Sequence, residues 1–92
     1  MLEVMFTRKM RRDVKRMRKR GKDMSKLDAA IQLLASQKPM PPIYRDHQLS
    51  GEFKDMRECH IEPNWLLIYQ IYEDELVLSA SETGTHSDLF DE

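Results

Sequence analysis

The run Trp65–Tyr72, WLLIYQIY, restricts the fold more than any other stretch of this 92-residue chain. Apolar side chains occupy both odd and even positions, so an extended segment here buries both faces, as a central strand does. A central strand needs a partner on each side. Phe53–Ile61 can form one, reached through the turn Glu62-Pro63-Asn64. Glu75–Glu82 can form the other, after a turn at Glu73-Asp74, with Leu76, Leu78 and Ala80 on one face. Three successive strands with short connections make an antiparallel meander, and Leu2–Phe6 adds a short N-terminal strand.

Between these strands the spacing changes to helical. Met10, Val14 and Met17 form one narrow apolar stripe after Thr7, whose hydroxyl can cap a helix. Gly21 is a natural stop. Asp23 or Ser25 then opens a second helix, in which Leu27, Ala30, Ile31 and Leu34 share a face until Pro39, Pro41 and Pro42 end it. A helical hairpin with two apolar stripes must cover one face of the sheet, so the class is α+β, expected as a single domain over residues 1–92.

The formal net charge of −1 hides an asymmetry. The first thirty residues carry eleven basic and four acidic side chains, whereas Lys54 and Arg57 are the only basic residues from Gly51 onward. A basic N-terminal half suits RNA, DNA or an acidic protein segment, and also an ordinary solvated helix face. No apolar run approaches the roughly 20 residues that span a bilayer, and the N-terminus lacks the order of a secretory signal. One cysteine, Cys59, forms no internal disulfide, which fits a reducing cytoplasm. No cofactor motif is present, and no membrane partner is expected.

Chemistry-bearing residues concentrate in Tyr44–Trp65, which holds His47, His60, Cys59 and Trp65, and His86 follows Thr83-Gly84-Thr85 near the C-terminus. Strand parity sets His60 with Lys54, Met56 and Glu58, opposite Arg57 and Cys59. In a meander, Trp65 and the Glu82–His86 segment meet at one edge, with His60 close by. Two or three imidazoles around a cleft suit a reaction that removes one proton and delivers another, such as RNA cleavage by its own 2′-hydroxyl. Trp65 or Phe90 could stack on an unpaired base while cations hold phosphates. Taken alone, the three histidines fit ordinary surface positions better than a site. Metal binding gains little from their spacing, because no pair stands at i,i+2 or i,i+4.

The runs Asp46-His47-Gln48-Leu49, Arg57-Glu58-Cys59-His60-Ile61-Glu62-Pro63-Asn64-Trp65-Leu66-Leu67-Ile68-Tyr69 and Thr83-Gly84-Thr85-His86-Ser87-Asp88-Leu89-Phe90 together resemble the YafQ branch of the RelE/ParE toxin superfamily. The similarity covers nearly the whole chain. It implies a RelE-like sheet covered by a helical hairpin and the activity of a toxin from a bacterial type II toxin–antitoxin system. Such a toxin enters the ribosomal A site, lined by rRNA, cuts mRNA there without a metal or cofactor, and is wrapped by a cognate antitoxin. The resemblance places His47, His60, His86 and Phe90 on active-site positions, and Trp65 on a matching one. It implies His86 as general acid, His60 or His47 as base or phosphate contact, and Phe90 as a nucleotide-positioning ring.

Two positions depart from the branch. Asn64 stands where aspartate is usual, and Glu82 where arginine is usual. Losing an arginine that stabilises a phosphorane-like transition state costs on the order of 10²–10³ in rate. Reduced activity is therefore expected unless Arg57, Arg45 or Lys54 substitutes. The alternatives are a ParE-like gyrase inhibitor that cleaves nothing and an inactive antitoxin-binding module.

Overall fold

The computed structural model describes residues 1–90. Five strands form one sheet in the order β1-β5-β4-β3-β2: β1 Glu3–Phe6, β2 His47–Gln48, β3 Arg57–Glu62, β4 Trp65–Tyr72 and β5 Val77–Gly84. The β2–β3, β3–β4 and β4–β5 pairs are antiparallel, and β1 joins β5 in parallel. The α+β class and central β4 match the expectation; the parallel edge pair and two-residue β2 add to it. Helices α1 (Arg8–Lys19) and α2 (Met24–Ala35) form the hairpin, and α3 (His86–Phe90) follows β5 directly.

Local signals account for the helix ends. Thr7 caps α1 by accepting the Met10 N–H at 3.0 Å, and Asp23 caps α2 by accepting the Ser25 N–H at 2.9 Å. Gly21, at φ +83°, closes α1 with its own N–H on the Arg18 carbonyl and the Lys22 N–H on that of Met17. Met10, Met17, Leu27, Ile31 and Leu34 then pack with Trp65, Leu67, Tyr69, Leu78 and Ala80 in one apolar cluster. No helix is long and apolar enough to cross a membrane among the described residues.

Two strand boundaries differ from the sequence reading. Gly51–Phe53 is a 3-10 turn, with Phe53 edge-on against Phe90, and β3 begins only at Arg57. Glu73–Glu75 is a second such turn, closed by Leu76 in a left-handed conformation (φ +56°). Leu76 is therefore exposed instead of sharing the core face with Leu78 and Ala80.

A bulge in β5 sets which side chains reach which face. Ala80 pairs with Tyr69 and Glu82 with Ile68, so Ser81 is the extra residue. Simple alternation would put Glu82 on the helix-covered face with Ala80. The bulge turns it to the opposite face and lets Thr83 point into the core.

Beyond its pairing with β1, the edge of β5 is covered by α1. The Thr7 hydroxyl donates to the Ser81 carbonyl at 2.7 Å, and the Asp13 carboxylate accepts the Thr83 N–H at 3.1 Å. Asp13 is only 2% exposed and also takes Lys9 and Arg16, each at 3.1 Å. A buried carboxylate so supplied with donors substitutes for the missing strand neighbour.

Candidate active site

The sheet face away from the hairpin carries the histidines. Register aligns His47, Glu58, Ile68 and Glu82 in one cross-strand row, and His60, Leu66 and Gly84 in the next. Residues opposite each other in an antiparallel ladder share a face. The His60 ring centroid lies 6.2 Å from that of His47 and 5.9 Å from that of His86. Folding therefore brings together three imidazoles from β2, β3 and α3.

Hydrogen bonds settle the proton positions on two of these rings. Asn64 Oδ1 accepts the His86 backbone N–H at 3.0 Å and faces His86 Nδ1 at 2.7 Å. An oxygen there can only accept, so Nδ1 carries the proton and Nε2 is left for the cleft. His47 Nδ1 likewise donates to the Arg45 carbonyl at 2.7 Å. Its Nε2 lies 3.5 Å from Glu58 Oε1, which is also 3.8 Å from His60 Nε2. His60 Nδ1 is buried with no partner among the described residues, and buried polar groups left unpaired are uncommon.

Glu58 was missed by the sequence reading as a site residue. It is 5% exposed and stands between two imidazoles. Parity with His60 already placed it on this face; only the pairing with β2 shows that it faces His47 as well. Glu58, His60 and His86 can each present one ligand atom within 4.8 Å of the others, a set suited to a transition-metal ion. Such an ion would occupy ring nitrogens that proton transfer needs, so the two uses exclude each other.

The last wall is α3. Thr85 and Asp88 form a reciprocal cap, with the Thr85 N–H on Asp88 Oδ2 at 2.9 Å and the Asp88 N–H on Thr85 Oγ1 at 3.1 Å. Arg20 of α1 grips the same carboxylate at 2.6 and 3.0 Å. The guanidinium holds the Asp88 carboxyl well below the usual range. A Cβ at Gly84 would stand 2.9 Å from that of Asp88, so glycine is what lets α3 turn back so tightly. Phe90 meets Phe53 edge to face, with centroids 5.8 Å apart.

The remaining expected residues divide. Trp65 is corrected from a base-stacking candidate to a core residue: it is 0% exposed, and its indole N–H donates to Thr83 Oγ1 at 2.9 Å. Arg57 is no free cation, since it binds Asp46 at 3.0 Å and Tyr69 at 3.3 Å. Tyr69 also donates to Asp46, and burial followed by that carboxylate pushes the phenol up. Burial likewise pushes the Cys59 thiol up to about 12, which leaves it unreactive. Lys54 is exposed on the turn before β3, and Arg45 stands exposed two residues from His47. Glu82 does reach the histidine face, where Lys9 meets its carboxylate at 3.4 Å. A phosphate approaching the cleft would meet an ion pair there, not a bare negative charge.

Comparison with known proteins agrees with this geometry. The family profile for the bacterial toxin of type II toxin–antitoxin systems, YafQ, matches residues 2–91. The mRNA interferase toxin YafQ of Escherichia coli K12 is 44% identical over 80 residues, 86% of this chain and 85% of that protein. The crystal structure of a metal-bound toxin from Helicobacter pylori superposes with a TM-score of 0.93 at 41% identity, covering 98% of this chain and all of that one. The E. coli DinJ–YafQ complex superposes at 0.87 with 38% identity, covering 98% of this chain and 99% of that one. This chain belongs to the YafQ toxin family of bacterial type II toxin–antitoxin systems.

Proposed function

We propose that this chain is an mRNA interferase that acts in the cytoplasm as a single toxin domain over residues 1–92, cutting messages held in the ribosomal A site. The observation that carries this reading is the convergence of His47, His60 and His86 on one sheet face around the buried Glu58. Nε2 of His60 or of His47, the ring nitrogen that faces Glu58, takes the proton of a ribose 2′-hydroxyl. The oxygen attacks the adjacent phosphorus, and His86, as the imidazolium with Nδ1–H on Asn64, protonates the leaving 5′-oxygen from Nε2. The products are a 2′,3′-cyclic phosphate and a 5′-hydroxyl, and no water or cofactor is consumed. Asn64 holds the His86 ring in the orientation this step requires.

Arg8, Arg11, Arg12, Lys15, Arg18 and Lys19 on α1 make no ion pair among the described residues and would meet rRNA phosphates. The partner that silences the toxin is a cognate antitoxin, as DinJ is bound to YafQ in the E. coli complex.

Glu82 is the position that tunes the rate. Lys9 offsets its charge but adds no donor of the arginine type. Induction of this chain and of Glu82→Arg side by side, with growth and message integrity followed, tests the reading. Both should fragment translated messages, Glu82→Arg faster by up to about 10²-fold. Growth arrest with intact messages in both strains contradicts it.

A further inference from the structure

A groove of about 890 Å³ opens beside the histidines, between α2, the turn over Pro42–Tyr44 and the end of β3. His60 belongs both to the imidazole cluster and to the groove wall. We propose that this groove is a nucleotide subsite: it takes the unpaired base next to the scissile phosphate, with Arg45 holding the flanking phosphate. The proposal rests on the RNA-cleaving reading and adds where the substrate lies.

Three observations favour a nucleotide. The first is continuity: a phosphodiester placed between His60 and His86 has a neighbouring nucleotide on either side, and the groove begins at the shared His60 wall. The second is the lining. Ile43, Tyr44 and Pro63 offer flat or apolar surfaces of the kind on which bases stack. Ile43 is 82% exposed, an apolar side chain at the groove that the core does not use. The third is charge. Among the described residues the only acid in the wall is Glu62, which Lys22 and Lys26 bridge, each at 2.9 Å, and Arg45 meets no carboxylate. The hollow around Ile71–Glu75, in contrast, is lined by three carboxylates and would repel RNA.

The groove is within the range of pockets that enclose a small ligand. The turn that forms its outer wall is stiffened by Pro41 and Pro42 and closed by Arg45 in a left-handed conformation (φ +47°). The Arg45 carbonyl of that turn also fixes the His47 ring, so the base-binding wall and the catalytic wall are one rigid piece.

Steady-state cleavage by Ile43→Glu, Arg45→Ala and Ala29→Trp, with programmed ribosomes as substrate, tests the subsite. Ile43, Arg45 and Ala29 are exposed, so the folded state survives each change, and a melting curve checks this. Ala29→Trp fills the groove from the α2 side. The expected result is a KM raised about ten- to a hundredfold with kcat within about threefold, and an altered set of cut codons in Ile43→Glu and Ala29→Trp. Unchanged KM and cut sites in folded variants overturn the subsite while leaving the nuclease intact, as does an effect confined to antitoxin affinity, which would make the groove a peptide seat. Absence of cleavage by the unsubstituted chain would instead defeat the RNA-cleaving reading itself.

Discussion

The two walls of the cleft are built by different means. His47, Glu58 and His60 stand on adjacent hydrogen-bonded strands, and their spacing follows from sheet register. His86 and Phe90 stand on a five-residue helix that side chains hold: Asn64 on the ring, Thr85 and Asp88 at the cap, and Arg20 from α1. The first wall is as rigid as the sheet. The second depends on a few polar contacts, three of them centred on one carboxylate. Chemistry that needs atoms placed within a fraction of an ångström is therefore most vulnerable on the α3 side.

Substitutions can break this contrast at graded strength. Trp65→Ala should have the largest effect on stability, a loss of about 3–5 kcal/mol read from urea unfolding, because it empties the core beneath both walls. An unchanged midpoint with a raised KM would return Trp65 to a substrate role. Asp13→Ala comes next. It leaves the Thr83 N–H without its acceptor and should cost about 1–3 kcal/mol, with hydrogen exchange accelerated first at the end of β5.

Asp88→Asn is the mildest and the most specific. It weakens the Arg20 grip without altering the sheet, so kcat should fall about tenfold while KM is held. Its stability effect carries a pH signature. The Asp88 carboxyl is depressed in the folded state, so its contribution is present above the unfolded value of about 3.9 and is lost as pH falls through the lower folded value. The stability difference between the parent and Asp88→Asn should be constant from pH 7 to about pH 5 and shrink below pH 4. A difference independent of pH would mean that Arg20 contributes nothing through that charge.

The same division marks what the sequence makes legible. The unbroken apolar run WLLIYQIY, the Met10–Met17 stripe and the caps at Thr7 and Asp23 carry the class, the central strand and the helix ends. The proximity of His60 and His86 follows from meander topology. The β5 bulge leaves no such mark: Ser79-Ala80-Ser81-Glu82 reads as plain alternation, and only pairing reveals that Glu82 crosses to the histidine face. Two-residue β2 is too short for a periodic pattern, so the closeness of His47 to Glu58 was hidden as well. Trp65 misled because an aromatic at a site-adjacent position has the same letter whether it stacks on a base or fills a core. Asp13 was hidden by its basic neighbours, which made it look like one more charge on a solvated face.

In the proposed reaction His86, oriented by Asn64, delivers the proton that completes RNA cleavage. The most direct measurement is primer extension and end-group analysis of a message translated in a cell-free system containing the toxin or His86→Ala. New 5′-hydroxyl ends are expected within the translated region for the parent chain, with a loss of about 10²–10⁴-fold in their rate of appearance for His86→Ala. Ribosomes stalled on uncut messages, or equal cutting by the two proteins, would contradict that reaction.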